Sequence, residues 1–416
     1  MSRAEGRALR MSYLVASIGG VAFFVLSVSV LGVWPGRVLE DQTRAMSPES
    51  PLPVTTSEAR GRAIYGREGC AYCHTQQIRY VDADVRRFGA PTLAWETRLD
   101  YPHLWGTRRI GPDLARAGAT RSDDWHYAHL FAPRTVVRDS VMPPYAWLFD
   151  GSPTRPDQSA RDLVAYLQSL GQAREIAGPE GEAHARAACN CPDDDMAQMA
   201  FRAPLNASPA RTRRGGADAP ALGLKGDTTR GADLYAANCA GCHGSRGDGM
   251  GPAAEWLLPR PAVLAEHDYT TARLADALWN GVAGTSMQAW RDHSVEDLAA
   301  IARVVRGFRA DSPEPALPDT LQDLGRRVYE ANCAQCHGTA GAGDGSAADE
   351  LAVAPTNFQV QRPTLGQSLR AVRNGVEGTR MGSWTGRLTE AELLAAASHV
   401  RALFQGNPAP VNGGAP

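Results

Sequence analysis

The chain begins with an apolar stretch that is predicted to cross a membrane. No charged residue occurs in Ser12–Trp34, and at about 1.5 Å per helical residue this stretch can span a hydrocarbon layer of roughly 30 Å. Arg3, Arg7 and Arg10 precede it, so the positive-inside rule places the N-terminus in the cytoplasm. We predict a retained anchor over residues 1–35 rather than a cleaved signal peptide, since the stretch is long and no small-residue cleavage site follows it.

Helical periodicity marks the ends of three later segments. Two of these segments start with helix-capping sequences, Ser294-x-x-Asp297 and Thr389-x-x-Glu392. Apolar residues then recur every three to four positions, namely Leu163, Leu167 and Leu170 in the first segment, Leu298, Ile301, Val305 and Phe308 in the second, and Leu393, Ala397, Val400 and Phe404 in the third. The pattern predicts a mainly α-helical protein in which the helices of the second and third segments each pack across the helix that opens the same segment.

The second half of the chain contains an internal repeat. At an offset of 94 residues, six chemically distinctive pairs fall into register, namely Gly231/Gly325, Tyr235/Tyr329, Cys239/Cys333, Pro261/Pro355, Met287/Met381 and Trp290/Trp384. A repeat of this length is typical of a duplicated small domain. We therefore predict two related domains, at residues 227–310 and 316–406.

A Cys-x-x-Cys-His motif occurs three times, at Cys70/Cys73/His74, Cys239/Cys242/His243 and Cys333/Cys336/His337. This spacing is that of a c-type haem attachment site. Two thiols on one turn can add to the haem vinyl groups, and the next imidazole lies beneath the iron as its proximal ligand. Paired Cys-x-x-Cys modules also build zinc sites, but a histidine directly after every pair favours haem.

Each motif is followed by a candidate sixth iron ligand. His243 and Met287 are 44 residues apart, and so are His337 and Met381. In the first domain the candidate is Met142, 68 residues after its histidine, which implies an insertion. A methionine thioether opposite histidine raises the reduction potential of a haem. We therefore predict three covalently bound haem c groups and no catalytic residue in this chain.

Composition adds two constraints. The formal net charge of −2 gives no basic footprint for nucleic acid. Of the 8 cysteines, Cys189 and Cys191 lie outside the motifs, in a segment rich in Ala, Gly, Pro and charged residues. We predict that this segment, residues 171–226, is a flexible linker, and we interpret its two cysteines as a structural pair with no assigned function.

The repeats resemble class I c-type cytochromes, a small helical fold whose core the haem completes. In that family a proline carbonyl accepts the ring hydrogen of the proximal histidine, and by resemblance Pro261 and Pro355 take this role. The fold class predicted for the whole chain is thus one N-terminal transmembrane helix followed by three such domains.

The first domain, residues 51–170, resembles the mono-haem subunit of cbb-type cytochrome c oxidases. Four strings carry this resemblance, namely Gly66-Arg-Glu-Gly-Cys-Ala-Tyr-Cys-His-Thr-Gln-Gln-Ile-Arg79, Tyr101-Pro-His-Leu-Trp-Gly-Thr-Arg-Arg-Ile-Gly-Pro-Asp-Leu-Ala-Arg116, Ser122-Asp-Asp-Trp-His-Tyr-Ala-His-Leu130 and Ser140-Val-Met-Pro-Pro-Tyr-Ala-Trp-Leu148. The resemblance implies that Met142 is the axial ligand and that Gly111-Pro112 lies against His74. We expect His103, His126 and His129 to pack and to form hydrogen bonds rather than to ligate iron.

The tandem repeats are similar to the di-haem subunit of the same oxidases, so the chain looks like a fusion of two subunits. The family's di-haem subunit usually has its own membrane segment, and residues 171–227 contain none that is apolar enough. The resemblance implies a relay in the bacterial inner membrane with its haem domains in the periplasm. Electrons would come from a periplasmic cytochrome c or a quinol-oxidising complex and pass to a membrane-embedded catalytic oxidase subunit.

Three other functions compete with this interpretation. The cytochrome subunit of a nitric oxide reductase usually has one haem and lacks the Tyr-Pro-His-Leu-Trp-Gly segment. A di-haem peroxidase or dehydrogenase needs an open iron position, which the candidate methionines would fill. A free membrane-anchored multihaem shuttle would have an anchor helix without a packing partner.

Overall fold

The computed structural model of the chain describes residues 3–46, 54–93, 96–100, 103–118, 120–173, 219–223, 227–309 and 318–406. Over these ranges the α-helices are α1 Arg3–Val28, α2 Trp34–Met46, α3 Thr56–Arg67, α4 Asp82–Phe88, α5 Asp123–Phe131, α6 Pro133–Val136, α7 Gln158–Ser169, α8 Thr228–Asn238, α9 Ala240–His243, α10 Thr271–Asn280, α11 Val295–Gly307, α12 Asp319–Asn332, α13 Ala334–His337, α14 Leu365–Asn374 and α15 Glu390–Ala402. Two short strands, β1 His267–Tyr269 and β2 Gln361–Pro363, complete the regular structure. The expectation of a mainly α-helical protein is confirmed.

Short 3₁₀ turns connect several of these elements, namely Cys70–Tyr72, Arg98–Asp100, Ala146–Leu148, Ala254–Trp256, Leu264–Glu266 and Ala348–Glu350. After the N-terminal helix, the described elements gather into three units. The first unit comprises α3 to α7, the second α8 to α11, and the third α12 to α15, and each has its own buried apolar cluster.

The N-terminal helix is long, apolar and uncovered. α1 continues through a π-helical segment, Ser29–Val33, into α2. Within it, Gly6–Val38 is long enough and apolar enough to cross a membrane. Its most apolar 18-residue window has a mean hydropathy of 2.4, and none of that window is buried against the described part of the protein. An exposed apolar helix of this length fits the predicted anchor.

The first unit is built around the crossing of α3 and α7. A capping box between Thr55 and Glu58 starts α3, and Gly61 lies where α7 crosses it. A Cβ atom at Gly61 would lie 1.8 Å from the Asp162 carbonyl oxygen. Only glycine therefore allows this approach, which buries Tyr65 completely.

The second and third units repeat the same crossing. A Cβ at Gly231 in α8 would lie 2.4 Å from the Ala300 oxygen of α11, and one at Gly325 in α12 would lie 2.3 Å from the Ala395 oxygen of α15. The predicted caps are also present, because Ser294 accepts from the Asp297 N–H at 3.1 Å. The expectation that each terminal helix packs across an earlier one is confirmed.

The second and third units meet across a pseudo-two-fold axis. β1 and β2 are equivalent segments of the repeat, offset by 94 residues, and they pair antiparallel with Asp268 opposite Arg362. Flanking hydrogen bonds obey the same symmetry, because Thr270 N donates to Val360 O at 2.9 Å and Thr364 N donates to Glu266 O at 2.8 Å. The two repeats thus bind each other through one surface used twice, as in an isologous dimer.

The first unit packs on the motif helix of the second unit. Val136 and Ala128 from α6 and α5 form a buried cluster with Ala253 and Leu257 of the second unit. The contact is close, since a Cβ at Gly241 in α9 would lie 2.8 Å from the Thr135 carbonyl oxygen. The three units therefore form a chain of contacts in sequence order.

Most of the predicted linker, including Cys189 and Cys191, lies outside the described residues. Its last described part, residues 219–223, packs against the second unit, where Leu222 is buried in the apolar cluster. The chain therefore joins the second core earlier than composition predicted, because a single leucine in a polar segment gives no periodic signal.

Candidate haem-binding sites

Each Cys-x-x-Cys-His motif forms one turn that ends at its histidine. The histidine N–H donates to the carbonyl oxygen of the first cysteine at 3.0 Å for His74, 2.9 Å for His243 and 2.9 Å for His337. All six motif cysteines are free thiols. Two sulfur atoms and one imidazole therefore project from the same turn at each motif.

A backbone carbonyl orients every motif imidazole. Nδ1 of His74 lies 2.8 Å from Pro112 O, that of His243 lies 3.0 Å from Ala262 O, and that of His337 lies 3.2 Å from Thr356 O. An Nδ1–H donated to a carbonyl leaves the Nε2 lone pair free to bind a metal ion.

The role assigned to Pro261 and Pro355 is wrong by one residue. The carbonyl groups of these prolines face glycines, because a Cβ at Gly249 would lie 3.1 Å from Pro261 O and one at Gly343 would lie 2.6 Å from Pro355 O. The carbonyl of the following residue then faces the histidine. In the first unit Pro112 is itself the acceptor.

Glycine also creates the space for the first imidazole. A Cβ at Gly111 would lie 2.3 Å from Cε1 of His74, so Gly111-Pro112 lies against this ring as the resemblance implied. A substitution at Gly111 would displace the imidazole.

Burial sets the protonation of the motif groups. Burial lowers the pKa of His74, His243 and His337 below the usual value, which keeps them in the neutral form that binds metals. Burial raises the pKa of Cys70 and of Cys239 to about 12. These cysteines are therefore neutral thiols at physiological pH, the form whose S–H adds to a vinyl group.

The same backbone hydrogen bond occurs at all three candidate methionines. A hydroxyl two residues earlier accepts from the methionine N–H, from Ser140 for Met142 at 3.2 Å, from Thr285 for Met287 at 3.1 Å, and from Thr379 for Met381 at 3.0 Å. The hydroxyl fixes the turn from which each thioether projects. This Ser/Thr-x-Met pattern is visible in the sequence, but the distance between histidine and methionine, on which the prediction rests, does not reveal it.

One continuous cavity of about 1900 Å³ connects the three motifs. All twelve predicted site residues line it, namely Cys70, Cys73, His74, Met142, Cys239, Cys242, His243, Met287, Cys333, Cys336, His337 and Met381. The structure therefore brings each cysteine pair, its histidine and its methionine to a shared space.

The residues that line this cavity fit a covalently attached haem. Its walls are mainly apolar, which suits a porphyrin face, and Trp290 offers a buried Nε1–H with no hydrogen-bond partner among the described residues. A haem carries carboxylates that such a donor can bind. Thiols, neutral imidazole, thioether and an unused donor together match the group that the motif requires.

The other histidines of the first unit divide into two kinds. His126 and His129 pack around Trp125 as expected, at ring-centroid distances of 5.4 and 4.6 Å. The expected hydrogen bonds are absent from His126 Nε2 and His129 Nδ1, which are buried without a partner in the described part of the chain. His103 is exposed rather than packed.

These sites define a c-type cytochrome. A family model described as cytochrome c oxidase, mono-heme subunit/FixO matches residues 11–162. A second, described as cytochrome c oxidase, cbb3-type, subunit III, matches residues 226–303 and 321–400.

The chain belongs to the cytochrome subunits of cbb3-type cytochrome c oxidases, and it joins two of them in one polypeptide. Membership implies electron transfer, covalently bound haem c, and association with a membrane-embedded catalytic subunit. A solved chain from the reducing HAO-like protein complex of Kuenenia stuttgartiensis is 22% identical over 44% of this chain and 99% of that chain, with a TM-score of 0.22. This likeness is too low to bear on fold or function.

Proposed function

We propose that the chain is a tri-haem relay that passes electrons from a periplasmic donor to the oxygen-reducing subunit of its oxidase. Each haem would supply a reversible one-electron couple. Cysteine pairs would anchor the three groups, with His74 and Met142, His243 and Met287, and His337 and Met381 as axial ligands. Six-coordinate iron leaves no position for oxygen, so oxygen chemistry would belong to the partner.

The observation that carries this proposal is the continuous cavity that connects the motifs, together with unit contacts in chain order. The third unit contacts the second through β1 and β2, and the second contacts the first through α9. The first unit directly follows the membrane helix. Electrons would therefore pass from the third unit to the second and then to the first, which would deliver them to the membrane partner.

The pseudo-two-fold axis supports entry at the third unit. In the second unit the motif face is covered, since Gly241 lies against Thr135 of the first unit. The equivalent position in the third unit is Gln335, which is exposed. The position equivalent to Trp256, whose ring contacts Phe131 of the first unit, is Glu350, which is also exposed. The face that binds a neighbour in one repeat is thus polar and accessible in the other.

Charge reversal tests this entry point, because the repeat provides a matched control. Glu350→Lys changes the third unit's motif face, and Glu255→Lys changes an exposed acid beside the covered face of the second unit. With a reduced cationic mono-haem cytochrome c as donor, Glu350→Lys should slow reduction of the complex at low salt, and Glu255→Lys should leave it unchanged. Equal rates in both variants would contradict entry at the third unit.

Removing the third site tests the relay itself. In the intact complex, the double substitution Cys336→Ala and His337→Ala should lower oxygen uptake from a cytochrome donor at least tenfold. A small-molecule reductant that reaches the first unit directly should still support uptake. Undiminished uptake from the cytochrome donor would refute the proposed route.

The topology of the anchor follows from charge. We propose that the N-terminus is cytoplasmic and that the three units lie in the periplasm, because arginines precede the apolar stretch. A reporter enzyme that works only in the periplasm should be active when it is fused after residue 406. If a reporter that works only in the cytoplasm were active at the same position, the orientation would be the reverse.

A further inference from the structure

A stack of nitrogen-bearing side chains lies at the junction of the first and second units. The Arg121 guanidinium lies 4.3 Å from the centre of the Trp125 ring. On α5, Trp125 also stacks on His129 at 4.6 Å with an interplanar angle of 11°, and His126 meets the same indole edge-on. Rings and guanidinium thus hold one another in fixed positions.

Three nitrogen atoms of this stack lack hydrogen-bond partners in the described part of the chain. They are Arg121 Nε, His126 Nε2 and His129 Nδ1, and none is accessible to solvent. His126 as a whole is only 6% exposed. A buried polar atom without a partner is destabilising, so three together beside a cavity indicate a ligand that satisfies them.

The stack favours an anion. Burial lowers the pKa of His126 and of His129 to about 3, so both are neutral and can each donate one N–H. Burial lowers the pKa of Arg121 to about 10, which leaves it charged at neutral pH. Its neighbours Arg87 and Asp292 form their own ion pair at 3.4 Å. The stack therefore presents one cation and two neutral donors.

The stack lies in the same unit as the first Cys-x-x-Cys-His motif. All three residues line the cavity that also contains His74, and His129 is close enough to His74 to interact with it electrostatically. Ser122, which directly follows Arg121 and precedes α5, shares a hydrogen bond of 2.6 Å with Ser286 of the second unit. The stack therefore belongs to the unit that carries the first motif, and the start of its helix is bonded to the second unit.

We propose that Arg121, His126 and His129 bind the propionate carboxylates of the haem attached at Cys70 and Cys73. This assignment rests on the proposed function, since it requires that haem. A propionate is the negatively charged part of the group that the motif attaches, and Arg with two N–H donors matches a carboxylate. Pairing with Arg121 neutralises negative charge near the iron, which favours the reduced state and raises the potential of the first haem.

Arg121→Gln in the full chain tests this site, with Arg138→Gln as control, because Arg138 is an exposed arginine of the same unit. In a redox titration, Arg121→Gln should raise the ratio of oxidised to reduced first haem about tenfold at a given solution potential. This corresponds to a reduction potential that is lower by about 59 mV for a one-electron couple. Arg138→Gln should shift it far less because water and salt screen an exposed charge.

Vibrational spectroscopy provides a second readout. In redox-difference infrared spectra, the propionate carboxylate bands should move in Arg121→Gln and in His126→Phe, and they should stay in place in the control. Unchanged bands and an unchanged first potential, in a variant that retains all its haem, would overturn the assignment. A shift confined to the second haem would also overturn it. Haem content of the unmodified protein tests the proposed function separately.

Discussion

Asp268 and Arg362 occupy equivalent positions in the two copies of the repeat, and they form an ion pair with each other at 2.7 Å. The two residues lie opposite each other in the β1–β2 ladder, on the pseudo-two-fold axis. Arg309 joins Asp268 at 3.1 Å. A position that contains an acid in one copy and a base in the other lets two related units bind each other without like-charge repulsion.

Glycine at the helix crossing should be essential to the second unit. Gly231→Ala places a Cβ against the Ala300 carbonyl, so the helices must separate, and we expect the free energy of unfolding to fall by about 1–3 kcal/mol. Gly307→Ala is the control, because nothing lies within 4 Å of its Cβ in α11. That change should raise stability by roughly 0.5–1 kcal/mol. Denaturant unfolding measures both, and a Gly231→Ala protein as stable as the parent would contradict the crossing.

Removal of the third methionine should open its iron. Met381→Ala should lower the potential of that haem and let the reduced form bind carbon monoxide, which absorption spectroscopy detects. Met250→Ala serves as the control, since that side chain is 80% exposed, and it should change neither property. If the Met381→Ala spectrum equalled that of the parent, another group would be the ligand.

Acid should weaken the first unit through Asp84. Burial opposes ionisation of Asp84, but hydrogen bonds from Arg79 and Arg109 outweigh it and lower its pKa to about 2. A carboxylate with a lowered pKa stabilises the fold above the unfolded pKa of about 3.9, and this stabilisation disappears as the pH falls toward 2. At pH 7 it is worth at most about 2.6 kcal/mol.

Asp84→Asn tests this dependence. The variant should melt at a lower temperature than the parent at pH 7, and the difference should shrink at pH 2.5. Asp150→Asn is the control, because the Asp150 side chain is 83% exposed. A difference between parent and Asp84→Asn that stays constant over this pH range would contradict the argument.

The sequence predicted those features that depend on local spacing. The apolar run Ser12–Trp34 falls within a single exposed helix, and the caps at Ser294 and Thr389 start helices as expected. The motif residues and the three methionines line one cavity, although their roles as iron ligands stay predictions. Local rules succeeded here because a helix start or a motif turn involves only a few consecutive residues.

Features that depend on distant residues were missed. The contact of Gly241 with Thr135 joins positions more than a hundred residues apart, and nothing in either local sequence indicates it. The acceptors Ala262 and Thr356 were displaced by one residue because carbonyl direction depends on the tertiary turn. His126 was expected to form hydrogen bonds, and only the packed structure shows that its Nε2 has none among the described residues.

The anchor helix should pack against another polypeptide. Its apolar surface is uncovered within the described protein, and the family implies a membrane-embedded catalytic partner. Purified in mild detergent, the chain should remain bound to an oxygen-reducing subunit. Recovery as a monomer without oxidase activity would support a free shuttle instead.

Haem content tests the central claim most directly. Alkaline pyridine haemochrome analysis of the purified chain, divided by protein concentration, should return three c-type haems per polypeptide. A value of two would leave one Cys-x-x-Cys-His motif without its cofactor and break the relay, and a chain that contains zinc in place of haem would contradict the account altogether.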